Sequence, residues 1–271
     1  MKTDRQGPCP VLKGSLPFRL GTTSYILADD LVPNVTYLAD KIDDVELVLF
    51  ESHEVSNLPD ETSLSTLASL AENHDLTYTV HLPLDADLGD ADEHIRQRSV
   101  DKCLNIYRLT QCLCPFAYIL HLHGRQPGKE PAEHYTDWQC SLEQSIVSLL
   151  DQGIPAADLC VETLTYPFDY VWDLVRFFNL SVCIDVGHIL LIRENLERYL
   201  DILMDRCRVV HLHGIRKGKD HCDIGALPLD VLKRVLNRLR SCAPRQERVL
   251  TLEVFNANDF NRSIERLRSV L

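Results

Sequence analysis

The chain has 271 residues, 28 basic against 40 acidic, for a formal net charge of −12 at neutral pH. That balance argues against a protein that holds nucleic acid by bulk electrostatics, and 45% apolar with 25% charged residues describe a globular domain, not a disordered or fibrous chain. No apolar run approaches the ~18 residues of a membrane span, and the polar start lacks the apolar stretch of a secretory leader, so the expected setting is the cytoplasm, with no membrane partner.

Residues 1–17 are broken by Gly7, Pro8, Pro10, Gly14 and Pro17 and read as an irregular N-terminal segment. From there on, eight short apolar, β-branched runs recur: Phe18–Thr22, Val45–Phe50, Leu76–Leu82, Ala117–His123, Leu159–Thr163, Ser181–Val186, Arg208–His213 and Val249–Val254. Their starts lie 22 to 42 residues apart, room for a strand, a loop and a helix each time. Helical periodicity fills the gaps, with Leu64, Leu67, Ala68 and Ala71 after the second run and Leu142, Ile146, Leu149 and Leu150 after the fourth. Further helices are expected over Val171–Phe178, Leu196–Leu203, Leu229–Leu239 and Ile264–Val270. Eight alternations with near-continuous apolar strands predict a single-domain parallel (β/α)8 TIM barrel over 18–271. No GxGxxG follows the first run, which removes the usual dinucleotide reading. Ten cysteines are scattered without a CxxC, several within apolar runs, and read as reduced, mostly buried small hydrophobes.

The polar residues that close the runs carry the functional signal. The third run ends in His81, the fourth in His121 and His123, the fifth in Glu162, and the sixth in Asp185 with His188 three residues on; the seventh ends in His211 and His213, the eighth in Glu253. In a parallel barrel these ends share one face, where active sites of this architecture are built. Unpaired acids and imidazoles there would cost several kcal/mol each, roughly, and a divalent cation removes the cost. Imidazole and carboxylate donors without thiolate suit zinc, or manganese as the alternative. The segments HLHGRQPGK (121–129) and HLHGIRKGK (211–219) resemble each other. One histidine of each pair is expected to ligate, the other to support it or touch substrate. Their loops bring cations to the mouth, so His123, His213, Arg125, Arg216, Lys217 and Lys219 are candidate contacts to an anion such as phosphate. Asp85, Asp87, Asp90, Asp92 and Glu93 read as a solvated, helix-capping loop, and Glu51, His53 and Glu54 as a solvent-facing one.

His81, His121, Glu162, the D-x-x-H pair Asp185/His188, His211, the segment His221–Gly225 and Glu253 together resemble the metal-site pattern of the xylose-isomerase-like barrel superfamily, which includes type IV apurinic endonucleases and sugar epimerases. Within it, FRLGTTSY (18–25), VELVLFES (45–52) and LTYTVHLPLD (76–85) are similar to the cobamide-remodelling phosphodiesterases, which open the nucleotide loop of a cobamide so that its lower ligand can be exchanged. The endonuclease pattern implies one ion on His81, His121 and Glu162 and a second on Glu162, Asp185, His211 and Glu253. It implies a third on His188, His221 and an aspartate two residues before the latter, where this chain has Lys219, with Asp220 next to it. One to three ions are therefore expected. The epimerases imply a single ion on the residues matching Glu162, Asp185, His211 and Glu253.

The expected activity is hydrolysis of the cobamide phosphodiester, with two ions activating water and stabilising the leaving oxygen, and with Glu162, Glu253 and His188 as catalytic residues. His81 and His121 favour it over the alternative, a metal-dependent sugar isomerase or epimerase, because proton exchange on one ion needs no two further imidazoles. The expected partner is a small corrinoid, not a nucleic acid.

Overall fold

The computed structural model describes residues 11–51, 56–123, 135–243 and 247–271. Eight parallel strands close into a barrel: β1 (Arg19–Thr23), β2 (Asp44–Val48), β3 (Thr77–His81), β4 (Ala117–Leu120), β5 (Leu159–Glu162), β6 (Ser181–Asp185), β7 (Cys207–Leu212) and β10 (Val249–Leu252). Each pairs with its neighbours in sequence, and β1 closes the ring on β10, with Arg19 opposite Val249. The other two strands, β8 (Gly214–Arg216) and β9 (Lys219–Cys222), form an antiparallel hairpin above the end of β7. That hairpin was not expected from a stretch so polar. It turns at Lys217 and Gly218, both at positive φ (55° and 78°), as a tight two-residue turn requires.

Helices α1 (Leu31–Leu38), α2 (Glu61–His74), α3 (Glu93–Thr110), α4 (Tyr135–Asp151), α5 (Asp169–Phe177), α6 (Val186–Leu191), α7 (Leu196–Leu203), α8 (Leu229–Cys242) and α9 (Ala257–Arg268) lie in the connections and after β10. α9 begins seven residues before the expected Ile264. Its polar first turns carry little periodicity, and the start is set by Asn256, whose side chain accepts the Asp259 amide at 2.9 Å. Residues 11–17 are irregular, although Leu12 is buried.

The core has two parts. A large apolar shell lies between helices and barrel, including Leu67, Leu142, Ile146, Val175, Leu200, Leu236 and Phe260. A smaller cluster of Ala117, Ile119, Cys160, Cys183, Val209 and Val249 fills the barrel itself. Strand parity makes the second part decisive: two residues beyond Ile119, Cys160, Cys183 and Val209 stand His121, Glu162, Asp185 and His211. The apolar plug is the floor of the polar site.

Candidate metal centre

Over that floor the ends of β3 to β7 and β10 converge. His81, His121 and Glu162 bring one ligand atom each to within 4.8 Å of one another, and so do Glu162, Asp185, His211 and Glu253. Glu162 divides its oxygens between the two groups. Oε2 lies 2.8 Å from His121 Nε2 and 3.4 Å from His81 Nε2, while Oε1 lies 3.5 Å from His211 Nδ1 and 3.4 Å from His188 Nδ1.

A histidine ligates through the nitrogen that bears no hydrogen, so the partner of its other nitrogen decides which one that is. His81 Nδ1 lies 2.8 Å from the Leu82 carbonyl, which can only accept, so Nδ1 holds the hydrogen and Nε2 is bare toward Glu162. His188 Nδ1 faces the Thr163 carbonyl at 3.2 Å, and His221 Nδ1 faces Asp220 Oδ1 at 3.1 Å. Asp220 therefore supports His221 instead of standing in for the aspartate missing at Lys219. His211 donates from Nε2 to Glu46 Oε2 at 2.8 Å, which leaves Nδ1 bare toward Glu253 (3.4 Å), Glu162 (3.5 Å) and Asp185 (3.8 Å).

A lone pair facing three carboxylates is untenable without a cation between them. Glu162 Oε1, Asp185 Oδ2, His211 Nδ1 and Glu253 Oε2, one atom from each residue of that group, are all buried without a hydrogen-bond partner. The donors fit a divalent ion. Cys183 also lies beside Glu162 and His211, and burial pushes its thiol well up.

Without metal, protons do the neutralising. Against the cost of burial, Asp185 and Glu162 lift His188 to about 10, and Glu253 lifts His221 to about 9. Burial is likewise overcome at His81, raised by Glu162 and Glu46, and at His211, raised well above its ordinary value by Cys183, Glu46, Glu253 and Glu162. Glu162 and Glu253 are held well below the usual carboxylate range despite burial, by His121 and His211 and by His211 and His221 respectively. His121 is the exception: burial outweighs Glu162 and pushes it down to about 4.

Glu46 is the functional residue that sequence reasoning missed. It is fully buried and belongs to β2, which contributes none of the ligands expected from strand ends. The available signal was the one acid within the apolar run Val45–Phe50, a placement that needs a buried partner.

The remaining candidates lie farther out. His123 is buried, with Nε2 at 3.1 Å from the Leu84 carbonyl and Nδ1 at 3.4 Å from Asp87. The loop before α3 is less solvated than expected: Asp90 is buried and Asp85 pairs with Lys102, while Asp92 caps α3 through the His94 amide. Arg216 is bound by Asp223 at 2.9 Å, which reduces its availability to an anion, and Lys217 and Lys219 are exposed on the hairpin. Arg125, His53 and Glu54 lie outside the described residues. Of nine described cysteines five are buried and none is paired, but Cys112, Cys114 and Cys140 are exposed, so burial holds mainly for those in strands. Among the described residues no helix is long and apolar enough to cross a membrane.

Fold and site define a closed parallel barrel with imidazole and carboxylate groups suited to metal at the C-terminal ends of its strands. The chain belongs to the xylose isomerase-like TIM barrel family, whose model matches residues 39–270. No curated protein matches it in sequence. Among solved structures it is similar to a D-tagatose 3-epimerase-like protein (TM-score 0.75, 19% identity, covering 93% of this chain and 96% of that one). It is similar also to endonuclease IV from Thermus thermophilus (TM-score 0.70, 18% identity, 93% and 98%) and to a 3-keto-D-glucoside 4-epimerase from E. coli (TM-score 0.68, 14% identity, 93% and 99%). At these identities the likeness is one of fold.

Proposed function

We propose that the protein is a metal-dependent phosphodiesterase that hydrolyses the nucleotide-loop phosphodiester of a cobamide. The observation that carries the reading is the division of Glu162 between two donor groups, one oxygen toward His81 and His121 and the other toward His211. Zinc, or manganese in its place, would bind the phosphodiester there, activate a water and stabilise the leaving oxygen. The chain's own residues do the rest. Glu162 and Glu253 stay ionised and accept protons by hydrogen bond, His211 is held by Glu46, and the exposed Lys217 and Lys219 offer positive charge to the anionic substrate on a chain of net charge −12. The corrinoid substrate is suggested by the resemblance of residues 18–25, 45–52 and 76–85.

A one-ion epimerase is the second reading. It is favoured by the completeness of the Glu162–Asp185–His211–Glu253 group on its own and by a fold shared with epimerases. The separating experiment is mass analysis of products after incubating metal-replete protein with a complete cobamide, beside a chelated control. A metal-dependent split into a cobinamide-type fragment and a nucleoside or nucleotide is expected. An intact cobamide, together with solvent deuterium entering a free ketose, would move the assignment to the epimerase. His81→Ala should lower metal content and hydrolysis together; full hydrolysis in that variant would remove the first donor group from the mechanism.

A further inference from the structure

His188, His213 and His221 each bring a ring nitrogen to within 4.8 Å of the others, and the rings of His213 and His221 stack at 4.4 Å. By residue type alone this is a three-imidazole site in which His213 replaces the aspartate absent at Lys219. The hydrogen bonding points elsewhere. We infer that His213 is not a metal ligand but a positioning residue, its Nδ1 accepting the backbone amide of His221 and its Nε2–H lying beside the Asp185 carboxylate.

The assignment rests on the one donor whose hydrogen is beyond choice. The His221 N–H, which can only donate, meets His213 Nδ1 at 3.0 Å, while the Gly214 carbonyl lies farther from the same nitrogen at 3.4 Å; the nearer contact uses the lone pair of Nδ1, and the ring hydrogen belongs on Nε2. Nε2 is fully buried and makes no hydrogen bond; its nearest carboxylate oxygens are Asp185 Oδ1 at 3.2 Å and Glu253 Oε2 at 3.9 Å, and the charge of these groups favours a hydrogen on it. Asp185 Oδ1 also accepts the His188 amide at 2.6 Å. With Oδ1 taken by the His188 amide, Oδ2 is the oxygen left for an ion, 3.8 Å from His211 Nδ1.

Two backbone features keep the ring in this place. A Cβ on residue 187 would lie 2.1 Å from the His213 ring, so Gly187 makes its seat. His221 has φ of 50°, a left-handed conformation uncommon outside glycine, and the bond from its own amide to His213 helps hold it there. One ring thus holds the β8–β9 hairpin beside Asp185, and His188 and His221 have no third imidazole.

The inference concerns ligation and holds whichever reaction the centre runs. Its test is the metal content of zinc-replete wild type, His213→Gln and His213→Ala by elemental mass spectrometry, with affinities from chelator competition. Glutamine places an N–H near the position of Nε2, so the number of ions per chain should equal that of wild type and the affinity should stay within a few-fold. Alanine should keep the number and weaken the affinity by roughly 10- to 100-fold. Loss of one ion in His213→Gln would overturn the inference. Independently of any variant's folding, ¹⁵N-histidine NMR of the zinc-loaded wild type should show His213 with hydrogen on Nε2 and a bare Nδ1; hydrogen on Nδ1 with a metal-shifted Nε2 would overturn it too.

Discussion

The tetrapeptide His-Leu-His-Gly occurs twice, at the ends of β4 and β7, and its two copies behave differently. His121 and His211 both face Glu162, yet burial depresses the first to about 4 while surrounding acids raise the second well above its ordinary value. His123 looks outward to a carbonyl and Asp87, whereas His213 looks inward to Asp185. Local sequence and strand parity are the same in both copies. What differs is what other strands present: β2 sends Glu46 across the barrel to His211, and β10 adds Glu253. A histidine's role in a closed barrel is set by the strands opposite it.

Four experiments break or sharpen this contrast, the largest expected effect first. His211→Ala strands Glu46, Glu162, Asp185 and Glu253 around one missing imidazole. Loss of the ion from that group, and of activity by more than ~100-fold, is expected, beyond what removing an outer partner usually costs. Elemental analysis beside a rate assay checks it, with His121→Ala losing the other ion and keeping this one.

Glu46→Gln keeps an acceptor for His211 Nε2 but removes the charge. Affinity for the ion at His211 should fall about 10- to 100-fold, with no change at the His81–His121 pair. Chelator competition on the two classes of ion reads this directly, and equal weakening of both would sink the asymmetry.

The same contrast fixes opposite pH slopes in metal-free protein. His121 ionises near 6.5 when unfolded and near 4 when folded, so the unfolded chain binds more protons between those values and stability falls as pH drops through that window, by about 3 kcal/mol. His211 is raised, so its contribution is complete below 6.5 and is lost as pH rises through its folded value. Urea midpoints of chelated protein should therefore lose part of their acid dependence in His121→Gln and part of their alkaline dependence in His211→Gln.

His123→Ala should have the smallest effect: unchanged metal content, an activity change below about threefold, and a stability loss of ~1–3 kcal/mol from its unpaired neighbours. A lost ion in this variant would mean that the two copies are more alike than their surroundings indicate.

Much of this was legible in the chain. The starts of all eight barrel strands were expected within one residue, because apolar β-branched runs bounded by polar loops leave little choice. The convergence of six polar strand ends was legible too, because period-two alternation puts a polar end over an apolar plug, as at Ile119, Cys160, Cys183 and Val209. The β8–β9 hairpin, the first turns of α9 and the burial of Asp90 were not, since turn, cap and loop packing leave no periodicity.

By itself, then, the sequence determined the closed barrel, the face that carries the site and the kinds of donor on it, all consequences of repeating patterns along one strand or helix. Only the tertiary structure decided that Glu162 divides between two groups, that Glu46 holds His211, and that His213 faces Asp185 while His123 faces outward. Those are contacts between strands far apart in the chain, 165 residues in the case of Glu46 and His211, and a ring's bare nitrogen is chosen by the partner that closure of the barrel brings to its other side.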